Sequence, residues 1–491
     1  MPAEVDVAQP RLDLALEHVA HAGILAGAVV GETPDVARAA SETSEPREIA
    51  ATLDLALRIG ELLLSSGAGA SDVSAAMGNV ARACGIRGCT ADVTFTRLTM
   101  SQQSSAEQPA LIQFRDVRYR DLDYGHLTAV DHLLADLASG ELDREGAAAR
   151  LNRITSTGHS RPRWSVSLSL GVMGVGIGLV LGGDWLVILI AALAAVMVEQ
   201  LQRQMGRRRL PAFYQQVAGG LLATLLTVAV AATPADASPS LIISSSIVLL
   251  LAGVNFLGAV QDALTGFPVT AGARILEAFL ATAGIVAGVS GGLEVAKLFG
   301  VDLGAVDPGA YSVADPLTMV VGGAIASAAF AGACYAPLRS LAPIGLVAAL
   351  AIGAYAIAID RGIGIAWSSA LAALLLGLLS YPTAVRARIP ALVVVAAGIA
   401  PLLPGLSIYR GLTLLATEAA DGLLAMVTAA AIAIALSSGA ILGEYLAQPI
   451  RREARRLEGR LAGPRLVGMH RVRLARRRRS TKVDTSTNRL D

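Results

Sequence analysis

Few side chains in the apolar part of this chain have the chemistry to carry a proton or hold a charged solute. The candidates are Glu199, Asp262, Glu277, Glu418 and Glu444, whereas all six histidines fall outside the long apolar stretches. A group that takes up a proton on one side of a membrane and releases it on the other must titrate within it, so a carboxylate is the expected carrier. Asp262 and Glu277 are the preferred proton-coupling pair because they flank one irregular stretch. Ion pairing is the more ordinary role for any single one of these acids. Arg274 stands three residues before Glu277, Arg203 four after Glu199, and the tail arginines lie close to Glu444, spacings at which helical side chains meet.

Two stretches rich in Gly, Pro and polar residues have the makings of a binding site. Asn255 to Thr270 contains QDALTGFP, and Pro401 to Arg410 reads PLLPGLSIYR. Proline removes a helical hydrogen bond and glycine permits unusual dihedrals, so main-chain groups are freed there. Interrupted helices at matching places in two halves of a chain are a pointer to a transport site. The candidate substrate-binding residues are Asn255, Gln261, Asp262, Pro401, Pro404, Gly405, Tyr409 and Arg410. The competing reading makes both stretches interfacial loops, with Tyr409 and Arg410 as anchors.

The elements that must position these residues follow from hydropathy. The chain has 491 residues with 16% charged and a mean hydropathy of +0.58, which places most of it in lipid. About ten apolar segments approach spanning length: Trp164 to Leu181, Trp185 to Val198, Leu210 to Ala232, Leu241 to Val260 and Ile275 to Leu293, then Leu317 to Leu338, Leu341 to Ile359, Ile363 to Tyr381, Ile389 to Ile408 and Gly422 to Leu442. They lack the alternation of barrel strands, so helices are expected. Arg150, Arg153, Arg161 and Arg163, then Arg203 and Arg207 to Arg209, Arg274, Arg339, Arg386, Arg388 and the tail arginines all fall on one side of a ten-span count, leaving Lys297, Arg361 and Arg410 on the other. That bias puts both termini in the cytosol. Five spans precede an acidic loop, Glu294 to Asp315, and five follow it, so tandem halves must enter the membrane from opposite sides. A pairing of Ile247–Gly266 with Leu392–Gly411, at a spacing of 145 residues, is the trace of repetition in the sequence.

The expected fold is therefore an all-α polytopic membrane protein, with about ten transmembrane helices in two inverted five-helix repeats and an N-terminal α+β soluble domain. The domains are expected at 1–45 (a disordered tail), 46–160 (the cytosolic α+β domain), 161–300 and 312–447 (the two repeats) and 448–491 (a basic cytosolic tail). In the soluble part a helix from Glu48 to Ser65 ends at the GAGAS turn, where Ser71 is placed to cap a second helix running to about Ala83. Cys89 to Met100 and Leu111 to Tyr119 read as a hairpin, followed by helices near His126 to Ala138 and Asp143 to Ile154. The apolar Ala22 to Gly31 lacks a basic flank and a cleavage signal, so no cleaved signal peptide is expected. Cys84, Cys89 and Cys334 form no pattern for a disulfide framework or a metal site, and no metal or cofactor is expected. The basic tail lacks interleaved aromatics, so nucleic acid is not an expected partner.

The order GELLLSSGAGASDVSAAMGNVARACG, TADVTFTRLTMS, five spans and five more containing PLLPGLSIYRG resembles the bacterial threonine/serine exporter family over nearly the whole chain. The resemblance implies export of L-threonine and L-serine, driven by the proton-motive force, across the bacterial cytoplasmic (inner) membrane. It brings threonine, serine, protons and membrane lipid as partners, allows a homo-oligomer, and leaves a dicarboxylate exporter as the alternative. For a zwitterion, freed amides hold the carboxylate, a carboxylate such as Asp262 receives the ammonium, and Asn255, Gln261 or Tyr409 bonds a hydroxyl. A membrane-anchored hydrolase is the alternative of another class. Ser65, Ser66, Ser71, Asp72, His126 and His132 are present, but no GxSxG elbow exposes a nucleophile, and GAGA lacks the GKS or GKT of a phosphate loop. No catalytic residue is expected, and the soluble part reads as a gating or regulatory module.

Overall fold

The computed structural model describes residues 34–461 apart from 105–106, 118–119, 160, 235–236, 251–252, 302, 304–306, 308–314 and 416–417. Most of the expected N-terminal tail and residues 462–491 of the basic tail lie outside the described residues. The chain divides into two units between Ile49 and Ala50, and every contact given below lies within the second.

Before the first long apolar run come α1 (Pro34–Ser65), α2 (Ala70–Ala83), β1 (Cys89–Thr94), β2 (Arg97–Gln102), β3 (Leu111–Asp116), α3 (Tyr124–Ser139) and α4 (Arg144–Thr157). Leu53, Ala56, Leu57, Leu63 and Leu64 of α1 are buried, spaced so that one helical face turns inward. They pack in a core with Val73, Met77 and Val80 of α2 and with Leu98 and Met100 of β2, two residues apart and so on one face of the sheet. The close fit shows at Gly60, where a Cβ would stand 2.5 Å from Met77 Sδ.

The expected two-stranded hairpin is a three-stranded antiparallel meander, β1-β2-β3. The stretch Cys89 to Met100 reverses on itself, with Thr94 opposite Arg97 and Val93 opposite Leu98. Its turn, Phe95 and Thr96, carries none of the Gly, Asn, Asp or Pro residues that mark a reversal, so alternation runs through it unbroken. α3 begins two residues earlier than expected because Asp123 Oδ1 accepts the His126 amide at 2.8 Å, an N-cap. Gly140, at φ 78°, ends it.

The apolar part consists of α5 (Trp164–Val180), α6 (Trp185–Arg207), α7 (Ala212–Ala231), α8 (Pro239–Ile247), a 3-10 turn (Val248–Leu250), α9 (Gly253–Leu264), α10 (Pro268–Leu298), α11 (Pro316–Ala333), α12 (Leu338–Asp360), α13 (Ile365–Ala387), α14 (Ala391–Ile399), a second 3-10 turn (Ala400–Leu402), α15 (Gly405–Leu414) and α16 (Ala419–Leu461). Among the described residues seven helices are long and apolar enough to cross a membrane: α6, α7, α10, α11, α12, α13 and the Ala419–Ala447 part of α16. The bent pair from Ala391 to Leu414, angled by 43°, makes an eighth. The chain is a mostly helical, polytopic membrane protein. Of the ten spans expected, Trp164–Val180 is apolar but short, and Leu241 to Val260 is divided between α8 and α9. Leu189, Leu193, Leu346, Leu350, Leu423 and Val427 point outward, as suits helices whose solvent is hydrocarbon.

The elements recur at a nearly constant spacing. α5, α8, α9 and their counterparts α11, α14 and α15 start 152 residues apart, α6 and α7 precede α12 and α13 by 153, and α10 precedes α16 by 151. Each interrupted unit has a nine-residue helix and a three-residue 3-10 turn, and its second helix starts three residues after that turn ends. Packing recurs too, α7 on α10 and α13 on α16, with α5 against α11 between them. A Cβ on Gly288 would lie 2.1 Å from the Val217 carbonyl oxygen, and one on Gly439 would lie 2.4 Å from that of Ala370. These are equivalent contacts at the same spacings, where backbones approach because no side chain intervenes. The 145-residue pairing drawn from sequence is thus replaced by one of about 152, since Ala, Gly and Leu recur too often for identity to fix a register.

Candidate functional site

The irregular stretch expected from Asn255 to Thr270 is ordered differently. The helix gives way earlier, at the 3-10 turn Val248–Leu250, and Asn255, Gln261 and Asp262 all sit on helix α9. A tight turn then leads into α10, with Gly266 at φ 94°, the Phe267 amide donating to the Asp262 carbonyl at 2.8 Å, and Pro268 in the first turn of α10. In the second unit the gap falls at Leu403 and Pro404, so Gly405, Tyr409 and Arg410 belong to α15. The two interruptions meet, since a Cβ on Gly253 would stand 2.9 Å from that of Leu403.

Asp262 is buried, with 1% exposure, and makes two contacts of different origin. Oδ2 faces Arg274 Nη1 of α10 at 3.0 Å. Oδ1 accepts the Ala70 amide at 2.9 Å. Ala70 opens α2, and its N-cap residue Gly69 has no side chain to satisfy the first amides. The expected cap, Ser71, lies inside the helix instead. A carboxylate from 192 residues away thus does the work of an N-cap, in the place where the helix dipole favours negative charge. The expected pairing of Arg274 with Glu277 is replaced by this one: Glu277 is exposed on α10, whereas Arg274 is turned inward. Gly258, one turn before Asp262, makes room for it, because a Cβ there would come within 2.7 Å of Arg274 Nη1. The Thr270 hydroxyl donates to the Val93 carbonyl at 3.3 Å, which ties α10 to β1.

Beside this junction lies a cavity of about 1140 Å³ walled by both parts of the chain. Asn255, Gln261, Asp262 and Arg274 line it from α9 and α10, Asp72 and Gly69 from the start of α2, Arg120 and Asp121 from the segment after β3, and Glu444 and Tyr445 from α16. Asp72 reaches the cavity from an exposed position on α2; desolvation there, then the Asp262 charge, raises its pKa above the usual carboxylate value. Burial, then the neighbouring Arg274, lowers Arg120 to about 10, so it stays a cation at neutral pH. Its guanidinium lies 4.1 Å from the centroid of the Phe95 ring, and its buried Nη2 has no hydrogen-bond partner among the described residues. The cavity thus presents a cationic donor, Arg120 Nη2, without a hydrogen-bond partner among the described residues, and a carboxyl whose pKa is raised.

Three of the eight sequence candidates, Asn255, Gln261 and Asp262, come together here. Pro401, Pro404, Gly405, Tyr409 and Arg410 do not line the cavity. Tyr409 is 3% exposed, packed among Val198, Ile243, Ile247 and Ile285, and Arg410 is exposed. Of the remaining acids, Glu199 accepts from its expected partner Arg203 at 2.8 Å and from the Ser167 hydroxyl at 2.8 Å, while Glu418 is exposed. Asp72 and Arg120, which the structure adds to the cavity, lie in the segment that reads as soluble. Their only sequence signal is adjacency to the GAGAS turn and to the end of the last strand.

The comparisons with known proteins agree with one another. Residues 54–296 match the family described as "Putative threonine/serine exporter", and 319–446 match the one described as "Threonine/Serine exporter, ThrE". The chain is 35% identical over 426 residues to a Mycobacterium tuberculosis protein named "Probable threonine/serine exporter", covering 84% of this chain and 80% of that one. It is 34% identical over 439 residues to the "Threonine/serine exporter" of Corynebacterium glutamicum, covering 86% and 89%. No solved structure matches it. Matched through both halves and along most of its length, the chain belongs to the threonine/serine exporter family.

Proposed function

We propose that this protein exports L-threonine and L-serine across the bacterial cytoplasmic membrane by proton antiport, and that the cavity beside Asp262 is the cytosol-facing form of its substrate site. The family is one of exporters and not of enzymes. The observation that carries the mechanism is the Asp262 carboxylate, hydrogen-bonded to the Ala70 amide and ion-paired with Arg274. In the proposed cycle a threonine carboxylate meets Arg120, its ammonium meets Asp72, and its hydroxyl meets Asn255 or Gln261. For antiport the proton travels against threonine. Once threonine has left on the far side, Asp262 takes up a proton there, which weakens both of its contacts because a neutral acid caps a helix and balances a guanidinium less well. It gives that proton up to the cytosol before the next threonine binds. Alternating access then follows as the α2 end is released and the abutting interruptions at Gly253 and Leu403 flex, with Pro401, Pro404 and Gly405 as the pivot and Tyr409 and Arg410 on the moving helix. Glu277, close enough to act on the charge of Arg120, is the second proton station.

The same reading takes the ten helical units as ten spans in two inverted five-helix repeats, because an odd number of spans in each tandem half reverses its direction in the membrane. The recurrence of starts every 151–153 residues supports it. The segment from residue 46 to 160 is then a cytosolic α+β domain and both termini are cytosolic, which cysteine labelling from either side of the membrane tests. Transport is tested with purified protein in liposomes under an imposed pH gradient. Labelled threonine or serine moves with the gradient; equal movement without one removes antiport, and preference for labelled succinate transfers the site to dicarboxylates.

A further inference from the structure

A second cluster of ligating side chains lies apart from the Asp262 junction, and the transport reading makes no use of it. Asp123 caps α3, His126 stands one turn further on, and His159 lies on the segment joining α4 to α5. One ligand atom from each falls within 4.8 Å of the others. Asp123 Oδ2 is 2.8 Å from His126 Nδ1 and meets His159 Nε2 as well. We infer that these three residues bind one divalent first-row transition ion, of the class represented by Zn²⁺, as a clasp between the segment leading into α5 and the start of α3.

The donor set is the first reason. Two imidazoles and a carboxylate suit a borderline ion, and three protein ligands with a fourth position open to water are a common zinc arrangement. Donors each about 2.0–2.1 Å from a tetrahedral ion stand roughly 3.3 Å apart, so the atoms here need only small rotations to admit one.

The support behind the ligands is the second. Asp123 Oδ1 is held by the His126 amide at 2.8 Å, which turns Oδ2 toward the imidazoles. The His159 ring stacks on Tyr335 at 3.7 Å with 19° between planes, and Tyr335 itself is held at φ 61° between α11 and α12. Arg161, two residues on from His159, donates to the Ala336 carbonyl at 2.8 Å. Ligand rings fixed by such partners are what metal sites show.

The unmet hydrogen bonding is the third. Without an ion, both imidazoles compete for a single carboxylate oxygen, and His126 Nε2 is left buried with no hydrogen-bond partner among the described residues. Spacing alone hides the set, since His159 follows His126 only across a complete helix, α4.

The test uses tag-free, full-length protein in detergent, titrated with Zn²⁺ against a chromophoric chelator and separately with Co²⁺, whose visible d–d absorption reports a tetrahedral site. One ion per chain is expected. His126→Gln and His159→Gln should each weaken Zn²⁺ binding by at least the roughly 10- to 100-fold seen for loss of a supporting partner, and should abolish the Co²⁺ band. His132→Gln, on the same helix, should leave both unchanged. Absence of a stoichiometric site in the unaltered protein overturns the inference, as does binding that survives in both ligand variants or falls equally in His132→Gln. Should a ligand variant not elute as a single species, the stoichiometry and Co²⁺ spectrum of the unaltered protein decide.

Discussion

Replacing Asp262 separates its two contacts, because asparagine and alanine remove different parts of them. In Asp262→Asn an oxygen remains to accept the Ala70 amide, but Arg274, itself only 8% exposed, loses its counter-charge. Leaving one member of a buried pair unpaired costs about 3–5 kcal/mol. Asp262→Ala loses the acceptor too, adding the value of an N-cap, about 0.5–2 kcal/mol. The double variant Asp262→Asn with Arg274→Gln removes the stranded charge and should regain most of the first loss while transport stays abolished. Chemical unfolding in detergent gives the energies, and the non-additivity of the double variant gives the coupling. Hydrogen exchange of the peptide containing Ala70 gives the location: its amide should exchange faster in Asp262→Ala than in Asp262→Asn. Equal stability of all three forms, or unchanged exchange at Ala70, would refute the claim that this carboxylate ties α2 to α9.

Gly258→Ala should weaken the same pair from the other side, by about 1–3 kcal/mol, because its Cβ would intrude on Arg274 Nη1; thermal unfolding of the purified protein checks it. Arg120→Gln should raise the KM for threonine in liposomes with little loss of stability, since its Nη2 has no hydrogen-bond partner among the described residues and the stacking on Phe95 is worth about 0.5–1 kcal/mol. Asp72 has a pKa raised in the folded protein by desolvation and then by Asp262, so the native state holds its proton more tightly than the unfolded chain and stability falls as pH rises through that window. Asp72→Asn should therefore be more stable than the parent at neutral pH, the difference vanishing below about pH 4, as read from unfolding midpoints against pH. Gly288→Ala and Gly439→Ala should each destabilise by about 1–3 kcal/mol or more, and by similar amounts if the halves are equivalent; a loss at one position only would count against the internal repeat.

Much of this architecture was legible because lipid imposes a simple demand. Backbone groups in hydrocarbon must bond within their own segment, so long apolar runs announce helices, and eight of the ten expected segments overlap one principal helix. The other two are divided: Leu241 to Val260 carries no proline to mark its break, whereas Pro401 and Pro404 advertise the one in Ile389 to Ile408. The register of the repeat escaped sequence reading for a related reason. Helix lengths and glycine contacts carry it, and those are properties of packed backbones, while residue identities in such runs are nearly interchangeable.

The site divides along the same line. Composition and prolines mark the apolar helices and an interrupted pair, and single out Asp262 as an acid too costly to keep in an apolar region without purpose. What that acid touches emerges only on folding. Its partners are an amide at the start of α2 and a guanidinium on α10, and the amide is 192 residues away. Periodicity and spacing report on neighbours within a few turns of chain, whereas a charge removed from water must be satisfied by whatever polar group folding brings to it. Here that is the unfilled end of a helix whose own cap residue, Gly69, has nothing to offer.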